Sequence, residues 1–381
     1  MYQLEAILAA VARTVKSRAF DETLFCAEVS LTRQEEALQV RTKEVWLDQV
    51  RGDPVPWLLE PGNPSVRYRT LVELLNRPPD DAEALAAQQA ILTMRPVQRI
   101  LDAQWPAGHW MHPDVGYSPK HKATVWQIIF LAQLRLPRCQ PVERAVEAVL
   151  AYSRLSGGTI PGTDVPEARF SAAKDASGAF LCLNGNLLRA LSWFGYSDDP
   201  RVQATRAALV AQIHRDEFRC RCNGRTSSGR RPTRMADGLP CAWGTIKALG
   251  ALLTVPPERR LPTEQAAIER GVHFLLSRDL TQADYPTTGR VSPLWFRFGF
   301  PLGYTSDLLE LLQVLLMAGA PADRLQPALE LVLSRQDGQG RWALEHTPHN
   351  MWASFGRLGQ PNKWVTLRAL RVLKKAEGQH T

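Results

Sequence analysis

The sequence predicts an all-α chain built from repeated helix pairs, and three observations carry that prediction. A four-residue frame recurs at fixed spacing: Leu101, Gln104, Gly108 and Trp110 in LDAQWPAGHW, and Leu333, Gln336, Gly340 and Trp342 in LSRQDGQGRW. LVAQIHRDEF keeps the frame with Leu209, Gln212, Asp216 and Phe218, and YSRLSGGTIPG gives a weaker copy near Gly157 and Gly158. Self-similarity of this kind is the mark of a repeat architecture. Gly195 with Asp199-Pro200-Arg201, and Gly319 with Asp323-Arg324, then supply punctuation, since Gly suits the end of a helix and Asp the N-cap of the next. Between these marks, NLLRALSWF, TIKALGALL, DLLELLQVLL and TLRALRVL place apolar residues at helical spacing, and no segment alternates convincingly as a strand.

Each unit therefore reads as outer helix, Gln-to-Trp loop, inner helix and Gly-Asp turn, with at least four units after residue 95. The first ninety residues differ. Residues 1–45 read as one or two amphipathic helices. A Pro-rich connection runs from Pro54 to Pro64, a helix is expected over Ser65–Asn76, and RPPDD breaks the pattern. The expected organisation is an N-terminal helical extension, 1–94, packed on a helix-pair domain, 95–381. Helix pairs stack as an open solenoid or close as a ring, and the spacing alone is compatible with both.

Composition narrows the class. Hydrophobic residues make up 45% of the 381 and charged residues 22%, as expected of a folded domain with a sizeable core. The net charge is +8, from 46 Lys and Arg against 38 Asp and Glu. The excess is spread along the chain, which argues against a nucleic-acid footprint and fits solvated surface or attraction of an anionic substrate. The N-terminus has no basic start followed by an apolar run, and no stretch approaches a membrane span, so the expected location is cytoplasmic. Six cysteines in a reducing compartment read as thiols or metal ligands rather than disulfides.

The Gln-x-x-x-Gly-x-Trp spacing resembles the repeat of the terpenoid cyclase and protein prenyltransferase superfamily over roughly residues 95–376, with QDGQGRW at 336–342 the nearest match. The whole chain looks most like a branch of bacterial and archaeal toroid proteins. The resemblance is what favours closure: it implies an α/α toroid of two concentric helix layers, inner-helix starts gathered around a cavity mouth, and a structural role for the repeated Gln and Trp. The superfamily's functional motifs match less well. Where class II terpene cyclases carry an Asp-x-Asp-Asp acid, this chain has Ser197-Asp198-Asp199-Pro200, read as a helix-start turn. Prenyltransferases hold zinc with Asp-x-Cys and a later His, and the counterpart here is Cys220-x-Cys222. CAWG at 241 is similar to the Cys-His-Gly turn of lanthionine cyclases, with Ala in place of His.

The cysteines form the leading candidate site. Cys182 and Cys241 each lie near the start of an expected inner helix, in consecutive units, and Cys220 and Cys222 lie in the loop leading to Cys241. Helix N-termini favour thiolates, and Zn²⁺ takes tetrahedral sulfur and nitrogen ligands. The expectation is one zinc on Cys182, Cys222 and Cys241, with Cys220 or His214 as fourth ligand and Arg219, Arg221, Arg225 and Lys247 offsetting the charge. The competing reading is small buried thiols.

Other candidates follow the same frame. His109, His112 and His121 offer acids, bases or ligands in a loop, with Tyr117, Lys120 and Trp126 facing the same opening. In WFRFGFPLGYTSDLLE, from Trp295, aromatic rings line an apolar cavity, shield a cation or pack the core. Asp307 in that segment is a general acid or base, or simply an N-cap. Arg67 and Arg69, flanking Tyr68, pair to bind a phosphate or carboxylate, or make surface salt bridges. Cys182, Cys241, Asp307 and Trp364 should share one end of the barrel. These readings combine into a metal-dependent enzyme with a hydrophobic substrate, isoprenoid by resemblance, in the central cavity and a thiolate–zinc site at its mouth. The alternatives are a non-enzymatic toroid that binds lipid or protein, with structural thiols, and a zinc hydrolase with a non-isoprenoid substrate.

Overall fold

A computed structural model describes residues 45–111, 116–151, 153–159, 166–170, 180–219, 240–285 and 293–379. Residues 1–48 form a unit of their own, of which Val45–Leu47 is a single 3₁₀ turn. Everything from Gln49 onward is one compact unit, so the division expected at residue 94 falls inside it.

Its helices divide into two kinds by burial. The inner helices are α1 (Pro64–Arg69, continued by a π turn to Leu74), α4 (Thr124–Gln133), α6 (Leu181–Trp193), α8 (Ala242–Leu252), α10 (Leu308–Met317) and α12 (Lys363–Glu377). Between them run α2 (Ala82–Ala90), α3 (Arg95–Asp102), α5 (Gln140–Ala151), α7 (Pro200–Asp216), α9 (Pro262–Leu276) and α11 (Ala322–Ser334). α4 buries every residue from Thr124 to Ala132, as a helix enclosed on all sides must. α5 buries Val142, Ala145, Val146 and Val149, one face only, as befits an outer layer.

The inner helices close a ring. α4 packs on α6, α6 on α8, α8 on α10, α10 on α12, and α12 on the π turn of α1. The last junction is polar: Arg69 donates to the carbonyl of Gln133 at 3.4 Å, and Arg135, just past α4, donates to Glu73 at 3.1 Å. The sixth wall of the ring thus comes from the region read as an extension. α6 and α8 approach so closely that a Cβ at Gly185 would lie 2.4 Å from the backbone of Lys247.

The repeated frame has a mechanical meaning. Trp110 Nε1 donates to the carbonyl of Ile100, ten residues back in the outer helix, and its backbone N–H donates to Thr124 in the first turn of the inner helix. Trp342 does the same with Val332 and Thr366. The glycine between has φ +91° at 108 and +70° at 340, and a Cβ at Gly340 would meet Val50 at 2.4 Å. A further copy is hidden by substitution at three of the four positions: Leu276 is kept, and Asp279, Ala283 and Tyr285 stand for Gln, Gly and Trp. Ala283 holds φ +49°, and Tyr285 Oη donates to the carbonyl of Leu275, ten residues back.

The punctuation is partly as expected. Asp199 caps α7 through Arg201 N, and Gly195 and Gly319 take positive φ. α11, however, is capped at Pro321, so Asp323 lies in its first turn instead. One local prediction is overturned. YSRLSGGTIPG is not a repeat loop: Ser153–Thr159 is strand β1, paired antiparallel with β2, Pro166–Phe170, with Ser153 opposite Phe170. The two strands are close in sequence, but Ser153–Thr159, SRLSGGT, lacks the apolar–polar alternation that marks a strand.

Candidate functional site

The inner helices begin at one end of the ring, and that end is aromatic. Cys182 is the second residue of α6, Cys241 the N-cap of α8, Asp307 the N-cap of α10 and Trp364 the second residue of α12. Neighbouring contacts tie these starts together. A Cβ at Gly244 would sit 3.1 Å from Leu181, and Asp307 accepts from Gly299 N while Phe300 stacks on Trp364 at 4.9 Å. The four residues share an end, as the repeat frame required.

A collar of rings lies there. Phe180 meets Tyr117 at 6.4 Å, Tyr117 meets Trp126 at 5.0 Å, Trp126 meets Tyr304 at 6.3 Å, and Tyr304 meets Trp243 at 6.5 Å. Phe180, Tyr117, Tyr304 and Trp243 are half-buried, with Trp126 behind them. Two cations already rest on ring faces: Lys120 Nζ lies 4.6 Å from the centre of Tyr304, and Lys122 Nζ 4.8 Å from that of Trp352. His121 is buried against Trp126. Its Nδ1 lies 2.9 Å from the carbonyl of His349, which can only accept, so Nδ1 carries the proton and Nε2 the lone pair. Burial favours the neutral ring and lowers its pKa.

The segment Gly299–Ser306 crosses the interior beneath this collar. Gln133 of α4 brackets Leu302, accepting from its N–H and donating to its carbonyl. Asn186 of α6 donates to the carbonyl of Gly303, and Arg368 of α12 to that of Gly299. Three walls of the ring thus hold one extended strip. Gly303 and Tyr304 border His121 and Trp126 on one side, while Phe300 and Leu302 line a cavity on the other.

That cavity has about 70 Å³ of room for water-sized molecules, and five arginines line it: Arg69, Arg135, Arg189, Arg368 and Arg371. Below the crossing segment the lining is mixed, the arginines standing beside Ile129, Ala132, Trp193, Phe300 and Leu302. Arg69 and Arg135 both donate to Glu73, and Arg371 pairs with it as well. Burial works against the Glu73 charge, but Arg371, Arg69 and Arg135 together drive its carboxyl far below the usual range. Lys247, 1% exposed, meets Glu310 at 2.6 Å, and Arg189 meets the same carboxylate at 3.3 Å.

The structure places most of the residues singled out from the sequence. Asp307 is N-cap and ion pair at once: it accepts from Glu310 N at 3.0 Å and from Arg368 at 2.5 and 2.8 Å. Burial opposes its charge, yet Arg368 and the backbone N–H groups hold it ionised below its ordinary range, so it has no proton to give. Arg67 and Arg69 do not act as a pair. Two positions apart on a helix they point to different sides: Arg67 outward to Glu83 and the carbonyl of Leu59, Arg69 inward to Glu73. Tyr117 and Lys120 belong to the collar. Cys182 and Cys241 are neighbours, and burial, then the nearby Cys241, pushes the Cys182 thiol up to about 12. Cys241 accepts from Gly244 N at 3.3 Å. Lys247 serves Glu310 rather than a thiolate, and His214 faces the carbonyl of Thr263. His112, Cys220, Cys222, Arg221 and Arg225 lie outside the described residues. Among the described residues no group of three or more His, Cys, Asp or Glu is placed to hold a metal ion. No described helix is long and apolar enough to cross a membrane.

No protein-family model matches the chain, and no curated protein matches it in sequence. Among solved structures it is similar to the type II terpene cyclase MstE from Scytonema, 16% identical over 76% of this chain and 98% of that one, with a TM-score of 0.28. Variants of that cyclase holding merosterolic acid A, its product, and geranylgeranyl dihydroxybenzoate, its substrate, match at the same TM-score with 16% and 15% identity. At that distance the likeness carries no chemistry across. The closed ring rests on the helix contacts described above.

Proposed function

We propose that this toroid is an enzyme whose substrate is a hydrophobic, isoprenoid-like small molecule seated on the aromatic collar. The observation that carries the reading is the run of half-buried rings from Phe180 to Trp243 around the inner-helix starts, with lysine ammonium groups on two ring faces. Such faces accept apolar chains and shelter positive charge that develops during reaction. Among the described residues, the group beside the collar suited to take a proton is His121, neutral and with Nε2 unprotonated. Asp307 has no part in proton transfer in this scheme, because Arg368 already holds it.

The test is direct. Purified protein is extracted and bound lipids are read by mass spectrometry, and tryptophan fluorescence is followed during titration with a polyprenyl alcohol. Saturable quenching that disappears in Trp243→Ala supports the reading. Quenching unchanged in that variant, with no lipid recovered, contradicts it. Turnover, once found, should fall by about 10²-fold or more in His121→Gln if His121 is the base.

A second reading follows from Cys182 and Cys241 meeting at the same mouth: a thiolate-bound zinc, with Cys220 and Cys222 as further ligands. Zinc there would polarise a substrate group or activate water. Elemental analysis of untagged protein prepared without chelator tests it, with Cys182→Ser and Cys241→Ser as controls. Metal near one per chain in the wild type, lost in both variants, supports this reading. Less than about 0.2 per chain removes it, because a structural or catalytic zinc is held through purification.

A further inference from the structure

The collar uses none of the charged side chains inside the ring, and those charges do not balance. Six cations, Arg69, Arg135, Arg189, Lys247, Arg368 and Arg371, meet three carboxylates, Glu73, Asp307 and Glu310. Arg368 and Asp307 neutralise one another through paired hydrogen bonds. Lys247 and Arg189 share Glu310, leaving one positive charge. Arg69, Arg135 and Arg371 share Glu73, leaving two more. Among the described residues, an excess of three positive charges remains in the interior of the ring.

Helix ends do not account for this. A cation near a helix C-terminus is favourable, which explains Arg69 at the carbonyl of Gln133. Arg189 and Arg368 stand in the middle of α6 and α12, where the helix field offers nothing. Nor are the guanidinium donors spent. Arg371 meets Glu73 through Nε, and Arg189 meets Glu310 through one terminal nitrogen. Of the neutral donors that line the cavity, Gln133 and Asn186 hold the crossing segment, Trp193 donates to the carbonyl of Leu136, and Gln313 reaches only Met317 Sδ at 3.8 Å. Arginine supplies the charged donors facing the cavity. Burial, then the neighbouring Arg69, Arg135 and Arg189 against the pull of Glu73, lowers Arg371 to about 9. An anion would relieve that crowding.

The space admits a small anion. One water needs roughly 10–15 Å³ of such volume, so 70 Å³ holds about five to seven heavy atoms, enough for one phosphate group.

We infer that the cavity below the crossing segment is a binding site for a phosphate-sized oxyanion, either the free ion or the phosphate group of a larger molecule, held by Arg69, Arg189 and Arg371. Guanidinium forks match the geometry of phosphate oxygens, and the excess of charge matches a multivalent anion rather than chloride. The site is separate from the collar, so either reading survives the failure of the other.

The test measures melting temperature and calorimetric binding of the full chain in sodium phosphate against sodium chloride at equal ionic strength, with glycerol phosphate as a third arm. The expected result is a saturable rise in melting temperature with phosphate that chloride does not reproduce. Arg189→Gln should weaken phosphate binding by roughly tenfold or more, as loss of a charged fork does. It should not lower the melting temperature in chloride, since it removes surplus charge. Arg371→Gln is the second variant, expected to weaken binding equally, and the calorimetric arm stands if one variant fails to fold. Glycerol phosphate binding as tightly as phosphate would assign the site to a larger molecule's phosphate group, and binding of phosphate alone would assign it to the free ion. Equal shifts in phosphate and chloride, or wild-type phosphate affinity in Arg189→Gln, would overturn the inference.

Discussion

Where the inner helices begin, the ring presents, beside the Asp307–Arg368 pair, half-buried aromatic faces and neutral groups: Tyr117, Tyr304, Trp243, a neutral His121 and protonated thiols. Deeper in, the same helices present arginine beside arginine around too few carboxylates. The strip Gly299–Ser306 separates the two, and its residues divide accordingly, Phe300 and Leu302 on the basic side, Gly303 and Tyr304 on the aromatic side. The difference teaches that a toroid's interior is not one environment. Alternate residues on one crossing strip, and successive turns of one helix, face different chemistries.

The most damaging way to break this contrast is to strand a buried charge. Arg368→Met leaves Asp307, 2% exposed, without its guanidinium, and should cost about 3–5 kcal/mol in urea unfolding. Replacing Asp307 with Leu in the same chain should recover part of that loss, because a buried pair is worth much less than its breakage suggests. Trp243 is half-buried and carries no charge, so Trp243→Ala should move stability less.

The ring itself is tested at Gly185. Alanine there puts a Cβ into the backbone of α8 and should cost about 1–3 kcal/mol, or more if α6 and α8 cannot part. Both ends should suffer together, since both are built on these two helices.

Acid should act on the histidines before the carboxylates. Burial lowers the pKa of His121, beside the collar, and of His346, whose carbonyl accepts from Phe300 N, so their neutral forms stabilise the fold fully above the ordinary value of 6.5. That contribution is lost as pH falls from 6.5 through the depressed folded values. Glu73 and Asp307 are also lowered, from ordinary values of 4.5 and 3.8, so their contribution holds above those values and is lost below them. Melting temperature followed against pH should therefore fall in two stages, with tryptophan fluorescence changing in the first. A single stage below pH 4.5 would show that His121 and His346 do not titrate with folding.

The smallest effects belong to the repeat. Tyr285→Phe removes only the hydrogen bond to the carbonyl ten residues back and should cost about 1 kcal/mol in urea unfolding. No loss in that variant would show that Tyr285 is not a working copy of the frame.

The helices, their order and the shared end of Cys182, Cys241, Asp307 and Trp364 could be read from sequence, because capping and apolar spacing are local signals. Asp199 as a cap and Gly195 as a helix end are of that kind. The Tyr285 copy escaped because hydrogen-bond geometry conserves a role that residue identity does not. α1 escaped as a wall of the ring because closure joins residue 73 to residues 135 and 371, and no local pattern encodes that. The arginine cavity escaped for the same reason. Arg69, Arg135, Arg189 and Arg371 lie in four separate helical segments, each with polar positions that look like ordinary solvated faces. Only the ring turns those faces inward.

The claim that the barrel holds two distinct sites is tested most directly by one crossed binding measurement. Calorimetric affinities for a polyprenyl alcohol and for phosphate are taken on wild type, Trp243→Ala and Arg189→Gln. The account predicts that Trp243→Ala weakens the alcohol and leaves phosphate unchanged, while Arg189→Gln does the reverse. Loss of both ligands in the same variant, with the fold intact by circular dichroism, would contradict it.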